Sequence, residues 1–230
     1  MMYPFFFDPT FLLLIPALIL AVWAQSKVKG AYRRYSTVYA REGITAREAA
    51  RRILDDNGLQ AIPVERVRGN LTDHYDPRAK VLRLSEGVYD SRSIAAIGVA
   101  AHEAGHAIQD ARSYVPLKLR NAIVPVASLG SGAAFPLFFL GFLFGWPPLM
   151  DIGILVFLGV LVFHLVTLPV ELDASSRALR ILGGSGMLAS DEIGGARAVL
   201  NAAALTYVAA TVMAAVQLLR LVLLRGMRSD

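Results

Sequence analysis

The sequence predicts a mostly α membrane protein, with three or four transmembrane helices and a small α+β subdomain between them. Two observations carry this. Hydrophobic residues make up 55% of the 230 positions and charged residues 18%, with a mean hydropathy of +0.50. Soluble domains average roughly 45–50% apolar and about 25% charged. The apolar residues also gather in four runs that meet or approach the roughly 20 residues a helix needs to cross a bilayer core. Cysteine is absent. That excludes a disulfide framework, thiolate catalysis and a Cys-based zinc site, so any metal must be held by His, Asp or Glu. The net charge of +5 on so apolar a chain reads as membrane topology. The expected partner is the lipid bilayer and not nucleic acid.

The first run, 3–24, is uncharged from Phe11 to Ala24, and Tyr3 to Phe7 extends it past Asp8 and Pro9. It lacks the basic start and A-x-A site of a secretory signal, so a retained anchor is expected. Residues 25–121 form the polar subdomain, with seventeen Lys and Arg against eleven Asp and Glu. Gln25 to Arg41 is basic and amphiphilic and reads as a solvated or lipid-facing helix. Thr45 and Glu48 make a capping box, Ala49, Ile53 and Leu54 an apolar stripe, and Asn57-Gly58 a stop signal. Two β-prone runs follow, Ile62–Val67 and Lys80–Leu84. The second is expected at a sheet edge, where it could add a strand of bound peptide. Ser91 or Ser93 then opens a helix that runs to Ala111.

Residues 122–146 and 150–170 are the next two spans, and a polar segment, 171–197, follows them. The last run, 198–224, is diluted by Asn201, Thr206, Thr211 and Gln217, so it either spans or packs as a buried helix. Lys27, Lys29, Arg33, Arg34 and Arg41 follow the first span closely, whereas the residues before it and the loop Trp146–Asp151 hold no Lys or Arg. The positive-inside rule then places 25–121 and 171–197 in the cytoplasm. Arg220, Arg225 and Arg228 run against that rule if the last segment spans.

Chemistry concentrates in AAHEAGHAIQ, residues 100–109. His102 and His106 are four apart on a helix, so both imidazoles leave one face and can chelate one metal. Glu103 beside them is placed to take a proton from a zinc-bound water and return it to a leaving amine. Zn2+ suits a site of imidazole and carboxylate with one position open. Ala104 and Gly105 are small enough to let substrate or a covering strand approach.

A third ligand is required, and Glu171, in LPVELDASSRAL, is the best-placed residue. Asp173 is the runner-up, or else an acceptor that orients a ligating imidazole. His164, two turns earlier, is a rival that lies deeper in the third span. His74 offers either an oxyanion donor or one polar group in a turn made by Asp73 and Asp76.

These residues resemble the YugP-like family of membrane neutral zinc metallopeptidases. The likeness runs through DPTFLLLIPALILAVWAQ, DHYDPRAKVLRLSEGVY, VAAHEAGHAIQ and LPVELDASSRAL, in that order along nearly the whole chain. It implies a multi-pass zinc peptidase of the bacterial inner (cell) membrane with its site near the cytoplasmic face. A looser likeness to HtpX-type and CAAX-prenyl-protease metallopeptidases implies His102, His106 and Glu171 as ligands and Glu103 as base. Those families carry E-x-x-x-D, whereas here Ser175 stands four after Glu171 and the acid is Asp173. The expected fold is thus zincin-like in its subdomain. The expected function is a zinc-dependent endopeptidase that cleaves membrane or membrane-proximal proteins. The alternative is a metal-binding membrane scaffold or chaperone, which has no need of Glu103. A homo-oligomer is compatible with either.

Overall fold

A computed structural model describes residues 9–227. The expectations placed on residues 3–7 and on Arg228 lie outside these. A short 3-10 helix, Pro9–Leu13, leads into α1 (Leu14–Tyr35), and α2 (Ala46–Asp56) follows. Three strands come next: β1 (Val64–Val67), β2 (His74–Asp76) and β3 (Val81–Ser85). Then come α3 (Glu86–Tyr89), α4 (Ile94–Ala111), α5 (Val115–Phe144), α6 (Pro147–Gly184) and α7 (Ile193–Gly226). The protein is mostly α, and four helical stretches are long and apolar enough to cross a membrane, the last of them included. The chain divides into two compact units: residues 9–24, Leu119–Leu168 and 206–227 in one, Gln25–Lys118 and Pro169–Leu205 in the other.

The apolar unit packs by close helix contact. A Cβ built on Gly153 of α6 would lie 2.7 Å from the Phe138 nitrogen of α5, and one on Gly141 would lie 2.6 Å from the Met150 nitrogen. Glycine at both positions lets the two backbones meet, the device by which helices associate in lipid. Phe138, Met150 and Leu221 fill the space around them. Pro125 and Pro136 sit inside α5 without ending it. At one end of this unit, Arg225 of α7 donates to both carboxylate oxygens of Asp151 at 2.8 and 3.3 Å. Arg220 donates to the Thr10 hydroxyl at 3.3 Å.

The polar unit is a layered α+β body. Thr45 caps α2 and completes the box with Glu48 in both directions, as the T-x-x-E signature predicts. Its apolar stripe, Ala49, Ala50, Ile53 and Leu54, is buried together with Ile97, Ala100 and Ala104 of α4. Ser93 caps α4 by accepting from the Ala96 amide at 3.2 Å. The sheet order is β1-β3-β2, with β1 parallel and β2 antiparallel to β3. The expected edge strand at Lys80–Leu84 is therefore corrected. Val81–Ser85 is the central strand, buried at Val81, Leu82, Leu84 and Ser85, because its run of alternate and adjacent apolar residues suits a strand covered on both faces. The edges are β1 and β2.

Thr45→Ala should weaken the first turn of α2 by about 1 kcal/mol, or roughly fivefold faster amide exchange there. Hydrogen-exchange mass spectrometry over residues 45–50 checks this, and unchanged exchange would show that the cap is idle.

Candidate metal centre

The site is built by α4 and α6 inside the polar unit. His102 and His106 share a face of α4, their ring centroids 4.7 Å apart. Glu171 comes from the part of α6 just beyond Pro169, a proline that sits inside the helix without breaking it. His102 Nε2 lies 3.2 Å from Glu171 Oε2, and His106 Nε2 lies 3.5 Å from the same oxygen. One donor atom from each residue falls within 4.8 Å of the others, a spacing that could hold one metal ion. The Glu171 side chain is 4% exposed and the two imidazoles 14% and 12%. The structure thus brings Glu171, and not Asp173 or His164, to the two histidines.

The approach of the two helices depends on Gly105. A Cβ there would sit 2.8 Å from the Ala174 carbonyl oxygen and 3.3 Å from Ala174 Cα. The expectation that Ala104 and Gly105 let substrate or a covering strand approach is corrected: Gly105 admits the backbone of a helix, α6, and Ala104 is wholly buried.

Both imidazoles are also held from behind, a recurring feature of metal-ligating histidines. His102 Nδ1 lies 3.1 Å from the Ser175 hydroxyl, and His106 Nδ1 lies 3.0 Å from Gln109 Oε1. Ser175 therefore occupies the place that the looser pattern gives to an acid. Gln109 escaped the sequence reading. Its signal was there, a polar residue three after His106 on the same face of the helix. Asp173 accepts from Gln109 at 2.8 Å and from Arg177 Nε at 2.5 Å. Burial alone lowers the pKa of His106, but its hydrogen bond to Glu171 and the nearby Glu103 charge outweigh it, and the net shift is upward. A metal must displace that proton, so its binding weakens as pH falls.

Glu103 faces the sheet. Its Oε2 accepts the Tyr75 backbone N–H at 3.0 Å, which places the β2 edge beside it. Tyr75 is tied to α4 a second time, through its hydroxyl to Asp110 at 2.7 Å. Burial first and that hydrogen bond second push its phenol well above the ordinary range. Lys80 also donates to Asp110, at 2.5 Å. His74 belongs to β2, and its Nδ1 lies 2.8 Å from the Thr72 carbonyl oxygen. Asp76 accepts from the Arg78 and Ala79 amides at 2.9 and 3.1 Å, the turn expected there. Asp73 instead accepts from Ser85 on β3.

The model of one protein family, described as "Putative neutral zinc metallopeptidase", matches residues 10–226. The chain is 52% identical over 212 residues to the "Putative membrane protease YugP" of Bacillus subtilis (strain 168), covering 92% of this chain and 94% of that protein. No solved structure matches the chain. The zinc that this family implies fits the donors described: two imidazoles and a carboxylate converge, as in catalytic zinc sites with a position left open.

Gly105→Ala should force α4 and α6 apart, costing about 1–3 kcal/mol in this overpacked contact and lowering zinc retention. Thermal melting and zinc content of the purified variant test it. A variant with wild-type values for both would show that the 2.8 Å contact relaxes harmlessly.

Proposed function

Because the chain belongs to the neutral zinc metallopeptidase family, we propose that it is a zinc-dependent endopeptidase acting on membrane or membrane-proximal proteins. His102, His106 and Glu171 hold the metal, and Glu103 is the general base. The observation that carries this reading is the meeting of the three donor atoms within 4.8 Å, with Glu103 one residue from His102 and turned to a strand edge. Bound zinc supplies Lewis acidity, which polarises a carbonyl and brings the pKa of water toward about 7.

The chain's own residues do the rest. Glu103 takes a proton from the attacking water as the new C–O bond forms at the scissile carbonyl. When the C–N bond breaks, Glu103 returns that proton to the departing nitrogen. The substrate is an extended peptide laid along β2. Tyr75 directs its N–H to Glu103 and away from β3. The N–H and C=O of one residue in an antiparallel ladder share a side, so the Tyr75 carbonyl is also turned to this edge. A peptide strand added there can donate a main-chain N–H to the Tyr75 carbonyl. His74, one residue before, turns its backbone groups the other way, toward β3.

The site faces the cytoplasm of a bacterial cell membrane. The surplus of Lys and Arg in residues 25–121 supports this orientation. The chain has no cysteine, so single introduced cysteines report topology without background. Pro148→Cys should react with an impermeant maleimide in intact cells, and Ser190→Cys only after permeabilisation. The reverse pattern would invert the orientation.

Glu103→Gln should retain zinc near wild-type occupancy and lose cleavage by about 10²–10⁴-fold. Cleavage of casein or a membrane-protein substrate, with zinc content by mass spectrometry, checks both, and a chelator should abolish the wild-type activity. Wild type without zinc would overturn the metal site. Zinc in both proteins with equal activity in both would remove Glu103 from the reaction, and zinc in both with no activity in either would favour the scaffold.

A further inference from the structure

Gln109 is 0% exposed and lies one turn beyond His106 on the same face of α4. Its Nε2 is 2.8 Å from the Val170 carbonyl oxygen and 2.8 Å from Asp173 Oδ2. Both of those atoms only accept, so both amide hydrogens are committed to them. The remaining atom, Oε1, also only accepts, and it lies 3.0 Å from His106 Nδ1. Nδ1 must then carry the ring proton.

We propose that Gln109 is a positioning residue for the metal centre, locking His106 in the Nδ1–H tautomer and so presenting the Nε2 lone pair to the cation. The inference rests on the zinc reading above and deepens it. The lock is itself fixed. Asp173 is held by Arg177 Nε at 2.5 Å, and the Arg177 guanidinium lies over the Tyr114 ring, 5.8 Å from its centroid. The Tyr114 amide donates to the Gln109 backbone carbonyl at 2.9 Å. The chain of contacts from Tyr114 through Arg177, Asp173 and Gln109 to His106 therefore closes back on Gln109. His102 has no such lock, since the Ser175 hydroxyl both donates and accepts and suits either tautomer.

The test is zinc affinity by chelator competition on the purified full chain in detergent, for wild type, Gln109→Met, His106→Ala and the double variant. Methionine keeps the length and apolar volume of glutamine and removes its strong donors and acceptors. Gln109→Met should weaken zinc binding about 10–100-fold, while the zinc-free protein still unfolds cooperatively at a somewhat lower melting temperature. In the His106→Ala background the same substitution should cost nothing further, because the effect passes through that imidazole. If Gln109→Met does not fold, Gln109→Asn takes its place, since an amide shortened by one methylene cannot reach both α6 acceptors and His106.

Wild-type zinc affinity in a folded Gln109 variant would overturn the inference alone. So would a loss that persists undiminished without His106, which would mark Gln109 as packing only. Wild type that binds no zinc would overturn the zinc reading first, and the inference with it.

Discussion

Two imidazoles and a carboxylate can converge inside an apolar body only if the helices that carry them come closer than ordinary side chains allow. In this chain the limit is set where α4 meets α6, at Gly105 against the Ala174 backbone. The alanines that flank the motif serve the same end. Ala100, Ala101, Ala104 and Ala107 are all fully buried, so little side-chain bulk stands beside the motif itself. The histidines can then span the remaining gap, and Glu171 meets both with one oxygen. Larger residues would leave the polar groups in place and too far apart to share a cation.

Burying Glu171 beside two imidazoles has an electrostatic consequence. A carboxylate in a low-dielectric site needs a positive partner. Without metal His106 can supply it by protonation, which is the sense of its upward shift. With a divalent cation the imidazoles act as neutral ligands and the proton is released. The same three residues thus form a satisfied buried cluster in both states.

Much of this was legible in the sequence, for identifiable reasons. The capping box at Thr45 depends on a few adjacent residues, and local hydrogen bonding decides it, while the start of α4 was legible as Ser91 or Ser93. The pairing of His102 with His106 depends only on helical periodicity. Sheet order was not legible in this way. Lys80–Leu84 looked like an edge because nothing local reveals which strand another will cover, and long-range pairing put it in the centre. Gly105 was misread for a similar reason, since smallness announces a close approach without saying what approaches. Gln109 was overlooked because its local signal, a polar residue three after His106, says nothing of its partners, Val170 and Asp173, more than sixty residues away on α6.

The departure of this chain from the E-x-x-x-D pattern has a reading in terms of charge. Four carboxylates lie in or around the site: Glu103, Asp110, Glu171 and Asp173. Two have their own cations, Asp110 with Lys80 and Asp173 with Arg177. Among the described residues, Glu103 and Glu171 pair with no Lys or Arg; Glu103 has a backbone amide and Glu171 the imidazoles. Their combined charge of about two negative units balances one divalent ion. An acid in place of Ser175, in contact with His102, would add a third negative charge. A neutral hydroxyl there gives the imidazole a hydrogen-bond partner without that excess. Asp173, moved outward and neutralised by Arg177, supports the site through Gln109 instead. The serine at 175 and the acid at 173 are thus two parts of one arrangement, which holds both rings and would leave the charge of a bound ion to the two glutamates.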